Sequence, residues 1–258
     1  MIDARDLEIG AATGTFPFGT VHEDFLRKKH LVAIRVIDRD IDVTTLSIIK
    51  RGIRITWNLQ DCDYILRTHG MVLSKDKKWM IVSATTAFGS LNDFFKKKQF
   101  EISKPIKIQL VRNIAVGLDY LHTARVIHKD LRSHNIMLTD DFDPKITGFE
   151  LCREVTTNSS MIDVDLMVKR WWSPERLQGK PSSKEPDVYA FGMLMYEISL
   201  AEELPENGIE EGFETGVVHE EYSKILHRCI HQDPKERPTM KQVLEWLTSL
   251  EAEYVNEY

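Results

Sequence analysis

Apolar positions change their spacing along the chain, and the change falls near residue 90. Before it, "LVAIRVI" (31–37) is a continuous β-branched run of strand length and "WMIVSA" (79–84) is a second. Between them, residues 43–60 mix apolar and basic positions without proline and predict a helix. After residue 90 the period is helical. Leu110, Ile114, Leu118 and Leu121 share one face, and Val188, Phe191, Met195 and Ile198 share another. Met240, Val243, Leu244 and Leu247 predict a C-terminal helix opened by "RPT", with Pro238 suited to its first turn. The expectation is an α+β chain forming one domain over 1–258. A strand-rich N-lobe over 1–86 joins a helical C-lobe over 87–258 near "TTAFG" (85–89). Clefts between such lobes are where ligands usually sit.

Composition narrows the class. A chain of 258 residues, 42% hydrophobic and 29% charged, can bury a full core. A net charge of −6 argues against a general nucleic-acid binder, which would carry a basic excess. No apolar run approaches the roughly 18 residues of a membrane span. "MIDARDLEIG" lacks the basic-then-apolar order of a secretory signal. Cys62, Cys152 and Cys229 are scattered and odd in number, which fits a reducing compartment and predicts a cytoplasmic location.

The chemistry lies in an ordered series of motifs. "GTFPFGTV" (14–21), with Gly14, Gly19 and Val21, precedes "VAIR" (32–35), and "VIHKDLRSHNIML" (126–138) follows. "ITGFE" (146–150), "SPERL" (173–177), "DVYAFGMLMYEI" (187–198) and "CIHQDPKERP" (229–238) complete it. In this order the chain resembles the protein kinase superfamily over nearly its whole length, and its tyrosine-kinase-like branch in particular. The resemblance implies a two-lobed kinase fold with Asp130 as base and Asn135 as metal ligand. It implies an adenine slot of Val21, Ala33 and Met137 behind Ser83, with Thr85 in the hinge. It also gives scaffold roles to His128, Glu175, Asp187 and Arg237. Glu175 and Arg237 would form a buried ion pair, and Asp187 would cap the catalytic-loop backbone.

Four departures change the expected function. Arg35 stands where the family has the strand lysine that positions phosphates, and a planar guanidinium is not equivalent to a compact ammonium there. The helix glutamate that should hold it is missing: no acidic residue occurs from Val43 to Gln60, and Gly52 falls in its slot. The phosphate loop carries Phe16 and Pro17 between Gly14 and Gly19. Finally, Gly148-Phe149-Glu150 replaces Asp-Phe-Gly, so the metal-bridging carboxylate is gone. If the segment is extended, Glu150 lies about 6–7 Å further along the chain. A metal–oxygen bond of about 2 Å leaves no slack for that, so no metal site is expected.

Phosphoryl transfer is mostly positioning and charge neutralisation, so these losses imply a pseudokinase acting as a signalling switch or scaffold. Asp130 and Asn135 are then relics. No cofactor is required, and ATP would bind without Mg²⁺ if it binds. The Gly-Phe-Glu spelling is similar to that of the mixed-lineage-kinase-domain-like pseudokinases of necroptosis, although Asp130 and Arg35 depart from that pattern. An unconventional ATP-dependent kinase using Asp130 as base stays open as the alternative. Arg35, lacking its helix glutamate, is expected to pair with Glu150 across the cleft.

Thr156, Thr157, Ser159 and Ser160 form a polar run that an upstream kinase would phosphorylate, with Lys129 or nearby arginines receiving the phosphate. Expected partners are other signalling proteins, not nucleic acid, and not a membrane through this domain alone. "FLRKKH" (25–30) and "FFKKKQF" (94–100) read as solvated faces, and "AEELPENGIEEGFE" (201–214) as an acidic exposed loop. His227 and His231 share a helical spacing, but Cys229 lies off their face, which argues against zinc.

Overall fold

The computed structural model describes the chain apart from residues 1, 8, 17, 28, 38–40, 99–100, 156–165, 182, 206–218 and 257–258. The first part is one antiparallel sheet of β1 (Ala12–Phe16), β2 (Gly19–Leu26), β3 (His30–Ile37), β4 (Thr68–Leu73) and β5 (Trp79–Ala84). Its spatial order is β1-β2-β3-β5-β4. Alternation in β3 places Val32, Ile34 and Val36 on one face, against Leu7, Met80 and Val82. Register pairs Val21 with Arg35 and Ala33 with Ser83, so these four share the opposite face. Helix α1 (Val43–Trp57) packs on that side through Ile49 and Ile53, which meet Ile37 and Ile81. Asp42 caps it, accepting from Thr45 N at 2.9 Å.

The second part is mostly helical. It contains β6 (Gly89–Ser90), α2 (Leu91–Lys97), α3 (Lys104–Thr123), β7 (Val126–Ile127), β8 (Ile136–Leu138) and β9 (Pro144–Ile146). Then come β10 (Arg153–Glu154), α4 (Pro174–Leu177), α5 (Glu185–Leu200), α6 (Glu220–Cys229) and α7 (Met240–Asn256). The predicted face of α3 is buried at Leu110, Ile114, Leu118 and Leu121, against α5 residues such as Phe191, Leu194 and Ile198. The strand-rich and helix-rich parts thus form the expected α+β, two-lobed arrangement.

Two expectations need correction. Pro238 lies outside α7. Thr239 is the cap, and it exchanges bonds with Gln242: its hydroxyl accepts from Gln242 N at 3.3 Å while its own N–H donates to Gln242 Oε1 at 2.9 Å. The beginning of the 201–214 stretch is not simply exposed. Leu204 is 2% exposed, and Glu203 pairs with Lys96 and Arg170 at 3.1 and 2.9 Å. Lys98 likewise meets Glu202 at 3.2 Å, so the basic tail of α2 clips onto the chain after α5. Residues 206–214 lie outside the described residues. Among the described residues no helix is long and apolar enough to cross a membrane.

Candidate functional site

The cleft between the two parts is framed by the β1–β2 hairpin, where Gly14 pairs with Val21 and Phe16 with Gly19. Phe16 and Phe18 meet edge to face, with centroids 6.0 Å apart, and both pack against the cluster of Ile37, Ile49, Ile53 and Ile81. The hairpin end is therefore anchored by aromatic contacts. Val21, Ala33 and Met137 are half-buried. Ser83 is buried, and its hydroxyl has no hydrogen-bond partner among the described residues. The Thr85 hydroxyl donates to Glu23 Oε1 at 3.1 Å.

Arg35 crosses the cleft. Its Nη1 donates to Glu150 Oε1 at 3.1 Å and its Nη2 to Thr147 Oγ1 at 3.0 Å. The side chains of Arg35 and Glu150 are only 14% and 9% exposed. At ~4 Å and an effective dielectric of ~20, such a pair gains about 4 kcal/mol before desolvation. The expected pairing is present, but its geometry corrects the assumption of an extended segment. Phe149–Leu151 is a turn of 3-10 helix entered through Gly148 at φ +83°. That turn, rather than an extended step, aims Glu150 at Arg35.

Gly52 explains how α1 comes so near. A methyl group added there would lie 2.1 Å from the Phe149 carbonyl oxygen. Any side chain in the glutamate's slot would push α1 off the turn that carries Glu150. Cys152 Sγ also contacts Gly52 O, at 3.6 Å. The glycine at 52 and the docking of this turn are thus one steric fact.

The catalytic-loop residues are held by one another. Asn135 Nδ2 donates to Asp130 O and to Asp130 Oδ2, both at 2.7 Å, while Arg132 Nε stands 3.2 Å from Asp130 Oδ1. A methyl group at Gly148 would lie 2.4 Å from Asn135 Cγ. The Asn135 side chain therefore occupies the space an aspartate at 148 would need.

Below the cleft Asp187, His128, Glu175 and Arg237 are held by buried partners. Asp187 accepts from His128 N at 2.7 Å and Lys129 N at 2.9 Å, and His122 Nε2 stands 3.2 Å away. Burial works to raise its pKa, but these partners hold it below the ordinary value. His128 bonds the Thr147 carbonyl at 2.8 Å and meets Phe149 edge to face at 4.8 Å. Glu175 and Arg237 form a bidentate pair at 2.6 and 2.9 Å; breaking one partner of such a pair costs about 3–5 kcal/mol. Glu197, in α5, accepts from Ser133 N and Oγ, Trp171 Nε1 and Leu204 N. Burial pushes its carboxyl up to about 7, against donors that favour the charged form.

A group of cations stands beside this scaffold. Burial, with Arg153 and Arg176 nearby, lowers the Lys129 ammonium to about 8. Burial likewise lowers Arg176 to about 10; it stacks on Trp172 and donates to the Lys129 carbonyl. Thr156, Thr157, Ser159 and Ser160 lie outside the described residues. Among the described residues no three of His, Cys, Asp and Glu stand together to hold a metal.

A family model described as "Protein tyrosine and serine/threonine kinase" matches residues 7–247. The chain belongs to the protein kinase family. Relatives of this kinase domain in Dictyostelium discoideum include a probable serine/threonine-protein kinase, 28% identical over 240 residues, covering 88% of this chain and 57% of that protein. The dual specificity protein kinase splA is 26% identical over 289 residues, covering 100% of this chain and 12% of that protein. Probable serine/threonine-protein kinase drkB is 26% identical, covering 97% of this chain and 38% of that protein. The chain thus spans 57% or less of the length of each of these three relatives.

Within the kinase domain, the motif positions of 35, 52, 130, 135, 148 and 150 come together at one cleft. Thr147, which takes the second Arg35 donor, and Arg132, which neutralises Asp130, were missed by sequence reasoning. The available signal was adjacency: Thr147 directly precedes the altered Gly-Phe-Glu, and Arg132 lies two residues after Asp130.

Proposed function

We propose that this kinase domain is a pseudokinase, working as a regulated interaction module rather than as a phosphotransferase. The observation that carries the reading is the bond from Arg35 to Glu150 and Thr147. It engages the guanidinium that would face phosphates with the chain's own acceptors. Gly148 supplies no carboxylate, and Asn135 is turned onto Asp130. These residues do not fit a magnesium-bound triphosphate, and no catalytic step is derived through one. ATP binding, where it occurs, is weak and independent of Mg²⁺.

Regulation would come through the polar run at Thr156, Thr157, Ser159 and Ser160, phosphorylated by an upstream kinase. The phosphate would be received by Lys129, beside which Arg51 and Arg153 add positive charge that attracts it. The partners are other signalling proteins in the cytoplasm. The Gly-Phe-Glu spelling supports a switch of the mixed-lineage-kinase-domain-like kind, including its necroptotic setting, while Asp130 and Arg35 set this chain apart from it.

The rival reading is phosphoryl transfer with Asp130 as base. It is supported by the presence of Asp130 and Asn135 and by the kinase names of the relatives. A thermal-shift titration with ATP, with and without Mg²⁺, separates the two. The pseudokinase gains no added stability from the metal. Metal-dependent stabilisation, together with autophosphorylation abolished by Asp130→Asn, would establish the rival.

A further inference from the structure

The outer face of α1 sets exposed cations beside exposed aromatic and aliphatic side chains. From Val43 to Trp57 the helix carries Lys50, Arg51 and Arg54 and no acidic residue. Lys50 and Arg54 are exposed one helical turn apart, and Trp57, 55% exposed, follows three residues later on the same side. Lys50 Nζ lies 3.8 Å from the centroid of Trp79. Trp79 pairs across the β4–β5 ladder with Leu73, which is 42% exposed. Leu73, Trp79, Lys50, Arg54 and Trp57 therefore form a stripe in which two cations are flanked by apolar groups.

Several exposed cations are answered within the chain: Lys96 and Lys98 by Glu203 and Glu202, Lys224 by Glu220, and Arg27 by Asp6. Lys50 and Arg54 have no carboxylate at ion-pair distance among the described residues. This occurs on a chain with 40 acidic residues against 34 basic ones.

We propose that this stripe docks an acidic protein segment carrying an apolar anchor. The carboxylates would meet Lys50 and Arg54, and the anchor would lie on Trp57 or between Leu73 and Trp79. Charge complementarity favours this occupant. The narrow row of two cations matches a single ribbon or helix of carboxylates rather than the broad face of an anionic bilayer. The inference rests on the reading of the domain as an interaction module and names the surface it would use.

The test is fluorescence anisotropy with a labelled synthetic peptide in which glutamates flank a leucine pair. Arg54→Glu and Trp57→Ala, both at exposed positions, should each weaken binding by about tenfold or more. Lys97→Glu, on the far lobe, should leave it unchanged. Raising salt from about 50 to about 300 mM should weaken the wild-type complex. Equal peptide affinity in wild type, Arg54→Glu and Trp57→Ala overturns the proposal. So does binding only to phosphatidylserine vesicles, or self-association without peptide that Trp57→Ala abolishes. The ATP and Mg²⁺ titration reads the cleft and this assay reads the opposite face of α1, so failure of either is separately visible.

Discussion

In the helical lobe, Asp187, Glu175 and Glu197 are buried, and each is met by several donors from distant segments. In the cleft above it, positions 52 and 148 are glycines, and the charges of Arg35 and Glu150 face each other. In the helical lobe, removing any of these carboxylates would leave its donors stranded in low dielectric. In the cleft, Arg35 and Glu150 answer each other without a ligand. A buried ion pair inside the fold constrains both residues at once, whereas a ligand-facing charge is released once the ligand no longer matters. The difference teaches which charges the fold itself requires and which only a ligand would.

The largest expected effect lies in the helical lobe. Glu197 has a folded-state pKa raised from 4.5 to about 7 by burial. A raised carboxyl contributes stability that is fully present below about pH 4.5. That contribution is lost as pH rises through about 7, for a total of up to about 3 kcal/mol. Urea unfolding of wild type against Glu197→Gln should show this: the stability difference between the two should vary over that window and flatten above it. A difference independent of pH would mean the carboxyl is charged throughout, held so by Trp171, Ser133 and Leu204.

A smaller effect is expected at the boundary between the regions. Gly52→Ala should destabilise by about 1–3 kcal/mol, because the methyl group must displace the Phe149 carbonyl that it would otherwise meet at 2.1 Å. It should also loosen the Arg35–Glu150 bond, since both depend on the same approach of α1 to the 3-10 turn. Chemical denaturation reads the first effect. An unchanged midpoint would mean that α1 does not need its close seat, and that the cleft pairing is independent of the missing glutamate.

Much of this was legible in the chain itself, for definite reasons. β3 announced itself by consecutive β-branched residues, and α3 and α5 by their apolar period, because burial imposes those periods directly. The pairing of Arg35 with Glu150 was also readable, since a guanidinium without its helix glutamate demands another carboxylate. The rest depended on tertiary geometry. The turn at Phe149–Leu151 follows from Gly148 entering the left-handed region, which the spelling alone does not require. Asn135 turns onto Asp130 because position 148 has no side chain to stop it. Leu204 is buried although its neighbours are acidic, because Glu203 on one side is neutralised by Lys96 and Arg170. None of these contacts joins residues close enough in sequence to leave a periodic trace, apart from Asn135 and Asp130.

The central claim is that Arg35 is already occupied by the chain's own carboxylate in the place where phosphate charge would lie. Calorimetric titration of ATP into wild type and into Glu150→Ala tests it most directly. Freed from Glu150, Arg35 should bind the nucleotide about tenfold more tightly or better, equally with and without Mg²⁺. Identical ATP affinity in the two proteins, or tight Mg²⁺-dependent binding by the wild type, would contradict the account.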